Sequence, residues 1–269
     1  MTSIGVDSGA SFTRFWDGEH EVMKLRTPHI YTQYLQLLYE RLRPYEPIQS
    51  LAIALPAIVE KQRIVKALNL GDEWDGKHIE ADIRNLLQVT GKILILQDTE
   101  AAGYAVQNQE LHGMEPTMLI TLSTGVGGAL VTRKCVMPLE VGHIPLNLSG
   151  NSIKCGCGQY GCVAADLSGI ELGKRLGTGS ENLEDHEFWS NYGIELGKFF
   201  MTLSALFKLR QIVLIGGVSQ RYPLFLEQTV RYLEANLKYV PIPTIRVLQQ
   251  GDSIGVSGAY WLAIRGPSS

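Results

Sequence analysis

Residues 3–11 read SIGVDSGAS, an apolar strand that runs directly into a turn of glycine, alanine and serine. The arrangement returns in the second half, where the strand MLITL at 118–122 precedes the glycine-rich turn STGVGG at 123–128. A further strand is predicted after each turn, over 11–16 and over 129–132. Each half therefore begins strand, glycine turn, strand, which indicates two related halves.

The remainder of both halves alternates strands with helices, as is typical of an α/β fold. Two similar halves predict two lobes facing a cleft, an N-terminal lobe of residues 1–109 plus 256–269 and a C-terminal lobe of residues 110–255. Asp17-Gly18 indicates a hairpin between the second and third strands. The other predicted strands are Glu21–Arg26, Ser50–Leu55, Lys92–Leu96, Gln211–Ile215 and Thr244–Leu248, and the predicted helices are Ile30–Leu42, Ile79–Gln88, Thr99–Gln107, Phe188–Leu209, Pro223–Leu237 and Gly255–Ile264.

The composition argues against several classes of protein. The 269 residues are 45% hydrophobic, which is enough for a sizeable core, and the formal net charge is -3. No run of Lys and Arg points to nucleic acid or to an anionic membrane surface. No apolar stretch approaches the roughly 18–20 residues that cross a bilayer, and the N-terminus lacks the pattern of a signal peptide. We therefore expect a cytoplasmic protein that binds neither nucleic acid nor a membrane.

The two glycine turns are candidate phosphate sites, because glycine lets backbone N–H groups approach an anion without an intervening Cβ atom. The residues of interest are Gly9 with the Ser11 hydroxyl in the first turn, and Gly125 with the Thr124 hydroxyl in the second. Asp7, at the end of its strand, is placed to hold Mg²⁺ through water. Either turn alone is equally compatible with an ordinary β-hairpin, and neither matches a P-loop or dinucleotide pattern. Their pairing, one in each half, favours nucleotide binding.

A third turn, Gly216-Gly217, follows the apolar run QIVLI at 211–215. In open α/β sheets the base or ribose of a nucleotide often rests after such a strand. A simple strand-to-helix turn is the alternative interpretation of the same residues.

Asp98 stands where the strand over Lys92–Leu96 ends and a helix begins. One interpretation is an N-cap for that helix. The functional interpretation is a carboxylate that accepts the proton of an attacking sugar hydroxyl during phosphoryl transfer, a reaction in which the protein mostly positions groups and neutralises charge. Glu100 is a competing candidate, but it lies two residues into the helix and is expected to point elsewhere.

Three of the four cysteines, Cys155, Cys157 and Cys162, fall within eight positions among several glycines. With His143 they make a Cys₃His set that suits tetrahedral structural zinc. The C-x-C-x₄-C spacing departs from zinc-finger patterns, and a disulfide or redox chemistry is the alternative. Cys135 lies in a strand-like stretch and is expected to be a buried or edge thiol, not a ligand. The other histidines are scattered and interpreted as surface residues: His20, His29, His78, His112 and His186.

A closed Cys₃His site has no open position for catalysis. Its expected task is to pin the loop that carries Glu140 and His143. One ring nitrogen of His143 would bind zinc, which leaves the other for a hydrogen bond to a ligand.

Together these motifs resemble the ROK family, the repressors and sugar kinases that share the actin-like ATPase fold, over nearly the whole chain. The cysteine segment and the Glu140–His143 segment are the most specific part of the resemblance. The segments that carry it are the phosphate motifs at 5–11 and 122–128, Glu140-Val141-Gly142-His143, the run CGCGQYGC at 155–162, the adenosine-like Ile215-Gly216-Gly217-Val218-Ser219, and Asn69-Leu70 followed by Trp74.

The resemblance implies a two-lobed α/β fold of the actin-like ATPase (ribonuclease-H-like) type with a zinc-binding loop. It implies that ATP and Mg²⁺ are used to phosphorylate a hexose such as glucose, or an N-acylhexosamine, with Asp98 as the general base. By the same resemblance, Asn69, Gln97, Glu140 and His143 face the sugar. Family members are often dimers, so a homodimer is expected. Many repressors of the family carry an N-terminal helix-turn-helix, whereas this chain starts at the first phosphate strand, so a kinase-type member is expected.

The chain departs from the family pattern mainly on the sugar side. The family usually has Asn-Asp-Ala-Asn where this chain has residues 97–100, QDTE, so that Gln97 is one methylene longer than the usual Asn. Ala164 stands where the family usually has a sugar-binding Glu. Pro56-Ala57 replaces a common Pro-Gly, and Ala10-Ser11 replaces Gly-Thr while keeping a hydroxyl. The altered residues 97, 100 and 164 leave open a non-catalytic sugar or nucleotide sensor. A kinase with a phosphate donor other than ATP, such as polyphosphate, is a further alternative on which the sequence bears little.

Overall fold

The computed structural model describes residues 2–20, 22–67, 69–109, 115–177, 179, 183–249 and 253–266. The chain forms two compact units, one of residues 1–109 with 252–269 and the other of residues 110–251. The return to the first unit therefore comes at residue 252, four residues earlier than the predicted 256.

The first unit is built around a five-stranded sheet with the order β3-β2-β1-β4-β7. The first three strands are antiparallel neighbours, whereas β4 and β7 continue parallel to β1. The elements are β1 (Thr2–Ser8), β2 (Phe12–Trp16), β3 (Met23–Arg26), α1 (Tyr31–Leu42), β4 (Ile48–Leu55), β5 (Ile58–Glu60), β6 (Arg63–Lys66), α2 (Ile79–Leu86), β7 (Ile93–Gln97) and α3 (Asp98–Gln109).

The second unit repeats this arrangement with a sheet in the order β10-β9-β8-β11-β12. Again three antiparallel strands are followed by two parallel ones. The elements are β8 (Thr117–Leu122), β9 (Val126–Val131), β10 (Val136–Leu139), α4 (Val163–Leu167), α5 (Gly169–Leu176), α6 (His186–Phe207), β11 (Gln211–Ile215), α7 (Tyr222–Asn236), β12 (Thr244–Val247) and, returning to the first unit, α8 (Ile254–Arg265).

One parallel strand, β4 in the first unit and β11 in the second, lies at the centre of each core. Six of the eight residues of β4 form one buried run, and all five residues of β11 are buried, as expected for strands covered on both faces. In the first unit Tyr34 and Trp74 are fully buried beside this sheet. In the second unit Phe199 and Phe225 belong to the core, so the apolar face of α6 is occupied within the unit itself.

Several details of the second unit correct the sequence prediction. Gly127 and Gly128, expected in the glycine turn, lie inside β9 and pair with Thr121 and Ile120, so the turn itself is residues 123–125. The stretch expected to be irregular around the cysteines also contains β10, α4 and α5. Cys135 is an exposed thiol in the turn before β10 and is not buried.

The other histidine predictions are confirmed where they can be compared. Among the described residues His20, His29, His78 and His186 are all exposed, and His112 lies outside the described residues. Within the described part of the chain, no helix combines the length and the apolar character needed to cross a membrane.

Candidate active site

The first glycine turn, residues 9–11, is held by its carbonyl oxygens. Thr27 donates its Oγ1 hydrogen to the Gly9 oxygen at 2.8 Å and its backbone N–H to the Ser11 oxygen at 3.1 Å. The His29 Nε2 atom lies 2.9 Å from the oxygen of Ala10, the residue between them. All three carbonyl groups therefore point toward the segment after β3.

The amide groups of the same turn are used differently. Among the described residues, the N–H groups of Ala10 and Ser11 have no hydrogen-bond acceptor, whereas Gly9 donates to the Phe12 oxygen at 2.9 Å. Consecutive backbone N–H groups that are not paired with carbonyls form a concave site for anions. The turn therefore has the polarity that a phosphate group requires.

A chain of buried hydroxyl groups connects the first glycine turn to the sheet. The Ser8 Oγ atom lies 2.8 Å from the Tyr34 hydroxyl and accepts from the Thr13 Oγ1 atom at 3.3 Å. Thr13 Oγ1 in turn lies 3.0 Å from Thr27 Oγ1, the group that holds the Gly9 oxygen. Because burial leaves each hydroxyl without water, this chain of hydrogen bonds fixes the turn to the sheet.

Asp7, the predicted magnesium residue, lies at the carboxyl end of β1 and faces the start of α8. A Cβ atom on Gly255, in the first turn of that helix, would come within 2.7 Å of the Asp7 carboxyl carbon, so only glycine leaves room. The positive end of a helix dipole favours a carboxylate at this place. The Arg14 guanidinium adds a second positive charge, with its Nη1 atom 3.7 Å from Asp7 Oδ2.

The second turn, residues 123–125, is also held by its carbonyl groups. The first N–H groups of α5 donate to it, from Gly169 to the Ser123 oxygen at 2.7 Å and from Ile170 to the Thr124 oxygen at 3.2 Å. The Gly125 oxygen accepts from the Ser123 N–H at 3.0 Å. As in the first turn, the N–H groups of Thr124 and Gly125 have no acceptor among the described residues. In both turns, therefore, the carbonyl oxygens accept hydrogen bonds from a neighbouring segment while two N–H groups have no acceptor among the described residues. The neighbouring segment is different in the two cases.

The third glycine turn lies next to the second on the same sheet edge. Ile215, the last residue of β11, pairs with Thr121 of the neighbouring β8, so the turns that follow both strands are adjacent. Gly216 has φ +100°, and its oxygen accepts from the Ser219 hydroxyl at 2.6 Å. Gly217 is exposed with open space around its Cα atom. These positions suit contact with the nucleoside part of a ligand whose phosphates reach the second turn.

Asp98 begins α3 at the carboxyl edge of the first sheet. Its Oδ1 atom accepts from the Thr99 N–H at 2.7 Å, and the side chain is half-buried. The register aligns Asp7 with Ala54 and Ala54 with Leu96, so the two carboxylates end strands that are two places apart in the sheet. That spacing is about 10 Å, since neighbouring strands lie about 4.8 Å apart. Both acids therefore lie at the carboxyl edge of the same sheet.

Glu100 lies in the first turn of α3, near Asp98. Burial raises the pKa of its carboxyl, although a backbone hydrogen bond from Gln97 acts in the opposite direction. Gln97 is the last residue of β7 and is half-buried. Glu100 therefore remains chemically able to accept a proton, and Asp98 is distinguished from it by its place at the end of the strand.

Asn69 is exposed in a loop whose two ends are joined by hydrogen bonds. The Asp75 carboxylate accepts from the Ala67 N–H at 3.0 Å and from Lys66 Nζ at 2.6 Å, which joins the two ends of the loop. Trp74, near the end of the loop, is fully buried and anchors it to the core. The side-chain amide of Asn69 is thus exposed on a loop that is held by Asp75 and by the buried Trp74.

His143, Cys155, Cys157 and Cys162 converge as predicted. Their possible ligand atoms all lie within 4.8 Å of one another. Cys157 and Cys162 have their sulfur atoms 3.7 Å apart, and His143 Nδ1 lies 3.7 Å from the Cys155 sulfur. Sulfur atoms at that distance do not form a disulfide, which needs about 2.05 Å. All four described cysteines are free thiols.

These distances match a tetrahedral metal site. Thiolates about 2.3 Å from zinc at tetrahedral angles have their sulfur atoms about 3.8 Å apart, close to the spacing between Cys157 and Cys162. Burial raises the pKa of Cys155, and raises that of Cys162 to about 12, whereas at Cys157 hydrogen bonds outweigh burial and lower the pKa. Cys155 and Cys162 therefore need a nearby cation to ionise together with Cys157. The residues present therefore fit zinc, with Nδ1 of His143 as the nitrogen ligand and Nε2 at the opposite edge of the ring.

The segment that carries Glu140 and His143 is tied to the strand that follows the second turn. Gly142 lies so close to β9 that a Cβ atom there would come within 2.0 Å of the Val126 oxygen. Glu140 is exposed and His143 is half-buried. A metal bound by His143 would therefore fix the position of this segment relative to the second glycine turn.

Ala164 is buried in α4, directly after the last cysteine of the cluster. It offers no acceptor for a sugar hydroxyl at this place. Of the predicted departures from the family pattern, this one removes a polar group outright, whereas Gln97 keeps its amide.

A cavity of about 370 Å³ lies in the second unit, away from the glycine turns, and is lined by charged residues that include Arg175, Glu195 and Lys198. Burial, reinforced by the charge of Asp166, raises the pKa of Glu195 to about 7 from 4.5, although Arg175 and Lys198 oppose this shift. The folded chain therefore holds this proton at pH values where the unfolded chain has lost it.

This shift predicts a pH-dependent stability. The favourable contribution of Glu195 is complete below about pH 4.5 and is lost as the pH rises to about 7. Glu195→Gln should therefore stabilise the protein at pH 8 by about 1–2 kcal/mol, after allowance for solvent screening of a half-buried group, and much less at pH 4.5. Melting temperatures across this pH range, with the exposed Glu234→Gln as control, test it. A Glu195→Gln effect that is independent of pH would contradict the assignment.

The amino-acid sequence matches a family of known proteins. The sequence profile of the ROK family matches residues 19–266. The chain belongs to the ROK family. Among curated relatives, the N-acetyl-D-glucosamine kinase of Vibrio vulnificus (strain YJ016) is 27% identical over 227 residues, which cover 71% of this chain and 72% of that protein. The N-acetylmannosamine kinase of Yersinia pestis (strain Pestoides F) is 30% identical over 137 residues, 48% of this chain and 46% of that one.

The structural comparison agrees with the family. A ROK family glucokinase from Streptomyces griseus, solved in complex with glucose and AMPPNP, superposes with a TM-score of 0.81 at 20% identity, covering 99% of this chain and 100% of that one. The predicted actin-like ATPase fold is therefore confirmed for this ROK protein.

Sequence reasoning missed the residues that shape the first turn. Thr27 and His29 contact it from the segment after β3, Arg14 of β2 contacts the neighbouring Asp7, and no local pattern marks these three residues. Thr27 and His29 are separated from the turn by about the length of a hairpin, so only the pairing of β2 with β3 brings them near it.

Proposed function

We propose that this ROK protein is an ATP-dependent sugar kinase that phosphorylates a hydroxyl group of a hexose such as glucose, or of an N-acylhexosamine. The observation that carries the proposal is the carboxyl edge of the first sheet, which carries Asp7, the turn at 9–11 with its two N–H groups that have no acceptor among the described residues, and Asp98. The relatives that are named as sugar kinases support this choice of reaction.

The nucleotide side of the reaction uses backbone groups and one acid. The turns at 9–11 and 123–125 would hold phosphate oxygens through N–H groups and through the hydroxyls of Ser11 and Thr124. Asp7 would hold Mg²⁺, which neutralises charge on the phosphates as the γ-phosphoryl group transfers. Gly216 and Gly217 would accommodate the adenosine.

The sugar side supplies the nucleophile and removes its proton. Asp98 would accept the proton of the reacting hydroxyl as that oxygen bonds to the γ-phosphorus and the bond to the β-phosphate oxygen breaks, which releases ADP. Asn69, Gln97, Glu140 and the Nε2 atom of His143 would hydrogen-bond other sugar hydroxyls. A substrate that needs no acceptor near Ala164, such as one substituted at that place, fits the altered shell best.

Zinc has a structural role in this proposal. His143 Nδ1 and the three clustered thiolates fill all four tetrahedral positions, so no position remains for substrate or water. The metal would fix the ring of His143 and thereby the segment that carries Glu140. It would supply rigidity and take no part in phosphoryl transfer.

Sugar-dependent ADP release tests the proposal. Zinc-loaded protein with ATP and Mg²⁺ should release ADP with at least one member of a panel containing glucose, mannose, fructose, N-acetylglucosamine and N-acetylmannosamine. Omission of Mg²⁺ should abolish the signal, and polyphosphate in place of ATP shows whether the donor is ATP alone. Folded, zinc-loaded protein that turns over none of these sugars would contradict the proposal.

A non-catalytic sensor is the second candidate function. It is favoured by the altered sugar shell at Gln97, Glu100 and Ala164, because a lost hydrogen-bond partner weakens positioning of the reacting hydroxyl. Binding of a sugar in calorimetry without any ADP release would select the sensor over the kinase.

A further inference from the structure

His29 contacts the first glycine turn through its side chain. The Nε2 atom lies 2.9 Å from the Ala10 oxygen, and because a carbonyl oxygen only accepts, Nε2 must carry the hydrogen and donate. The ring itself is exposed. The carbonyl oxygen of Ala10, at the centre of the turn, is thus held by the exposed side chain of His29.

The backbone of His29 is held from the other side by Trp74. The Trp74 indole N–H donates to the His29 oxygen at 2.7 Å, and the indole ring is fully buried. The rings of Tyr31 and Tyr34 contact the indole at centroid distances of 5.2 and 4.8 Å. His29 therefore connects the buried aromatic cluster to the glycine turn by two hydrogen bonds.

Trp74 also ends the loop that presents Asn69. The Trp74 N–H donates to the Gly71 oxygen at 3.2 Å, and the Leu70 and Gly71 N–H groups donate to the Ala67 oxygen, each at 3.2 Å. A ligand that binds at Asn69 therefore acts on a closed loop whose fixed point is the indole. From the indole, one hydrogen bond leads to His29 and a second leads to the turn.

A parallel connection runs through the core, from the Trp74 ring to Tyr34 and from the Tyr34 hydroxyl to Ser8 at 2.8 Å. Its members are buried, so their loss would disturb folding itself. The connection through His29 can be removed separately, because its ring is exposed and fills no cavity.

We propose that His29 is a positioning residue that couples nucleotide binding at residues 9–11 to sugar binding at the Asn69 loop. The proposal rests on the proposed function of both places. A sugar that orders the loop would fix Trp74 and His29, and with them the Ala10 carbonyl, so that the N–H groups are already oriented when the nucleotide arrives. Coupling between two sites is reciprocal, so nucleotide must favour the sugar by the same factor.

Calorimetric titration of AMPPNP with Mg²⁺, alone and with saturating glucose or N-acetylglucosamine, tests the coupling. For the wild type, at least one sugar should increase AMPPNP affinity by about five-fold or more, the usual lower range for coupled sites. In His29→Ala this increase should fall toward one-fold, with little change in melting temperature. His29→Gln, whose side-chain amide can still donate to the Ala10 oxygen, should restore most of it. His78→Ala, an exposed histidine of the same unit with no side-chain cap hydrogen bond, is the control.

Three results would overturn the coupling. The first is a wild-type AMPPNP affinity that neither sugar alters. The second is a His29→Ala variant in which sugar increases AMPPNP affinity by the same factor as in the wild type. The third is a loss of AMPPNP affinity in His29→Ala that is equally large with and without sugar. The last would mean that His29 supports the turn alone. Failure of the proposed function is seen in separate measurements, either as no AMPPNP binding by the wild type or as no sugar-dependent ADP release by zinc-loaded protein.

Discussion

Asp98→Asn is expected to lower kcat by about 10³-fold or more while leaving the fold intact, since a positioned general base contributes about 10²–10⁴-fold. The amide cannot accept the proton of the sugar hydroxyl. Its oxygen can still accept the Thr99 N–H, which the Asp98 carboxylate does at 2.7 Å, so the start of α3 should persist. Steady-state kinetics and a melting curve on the same preparation measure both properties.

Glu100→Gln is the matched control, because it makes the same chemical change two residues further along. It should retain most of the activity if Asp98 is the base. Full activity in Asp98→Asn, or a larger loss in Glu100→Gln, would transfer the role to Glu100, whose pKa burial raises.

Cys162→Ser is expected to abolish stoichiometric zinc binding and to destabilise the second unit by several kcal/mol. Cys162 is fully buried directly before α4, and its neighbour Val163 donates its N–H to the Ile144 oxygen at 3.0 Å, next to His143. Loss of a ligand therefore frees the whole loop, and binding energy of a structural metal contributes directly to folding. Metal analysis of freshly purified protein and thermal unfolding measure the two effects.

Cys135→Ser provides the control for the loss of a thiol as such. Cys135 is exposed and lies outside the cluster, so this variant should keep about one zinc per chain and the wild-type melting temperature. Wild-type protein with less than about half an equivalent of zinc, or Cys162→Ser with a full equivalent, would exclude the Cys₃His site.

The long helices and strands could be predicted from the sequence, because there the local residue pattern favours the same structure as burial in the folded protein. The apolar runs that became β4 and β11 are almost entirely buried, and the run that became β7 is mostly buried, so their composition alone reveals them. The amphipathic pattern of α1 and α2 likewise predicted both helices within a few residues of their observed ends. Repetition of the strand–turn–strand pattern pointed correctly to two related units.

Short elements could not be predicted in this way. The hairpin of β5 and β6 has only three and four residues, too few for a periodic signal, and depends on its neighbours. Helix α4 has five residues and begins directly after Cys162, so its position follows from the convergence of the cysteines. Gly127 and Gly128 looked like part of a turn, yet pairing with β8 holds them in a strand.

In the candidate site, too, some residues could be predicted from a local motif and others depend on tertiary contacts. Residues within a contiguous motif, such as Asp7, Asp98 and the cysteines, were identified because the motif itself implies their chemistry. The side chains of Thr27 and His29 act across a hairpin on backbone carbonyls, and any residue able to donate at that distance would give a similar sequence. Such contacts are fixed by the register of β2 and β3, which no local pattern specifies.

The sugar shell is where this chain differs most from the family pattern. Ala164 is buried and apolar where the family usually has a Glu, while Asn69, Glu140 and His143 keep their polar groups. In the proposed function, loss of this acceptor would change which hydroxyl pattern is bound and would leave Asp7 and Asp98 in place.

Direct detection of the product tests the central claim most sharply. Zinc-loaded protein should convert ATP and one sugar of the panel into ADP and an equimolar sugar phosphate, identified by mass spectrometry, and Asp98→Asn prepared in parallel should form almost none. Sugar binding without any sugar phosphate in the wild type, or equal product from both proteins, would contradict the account.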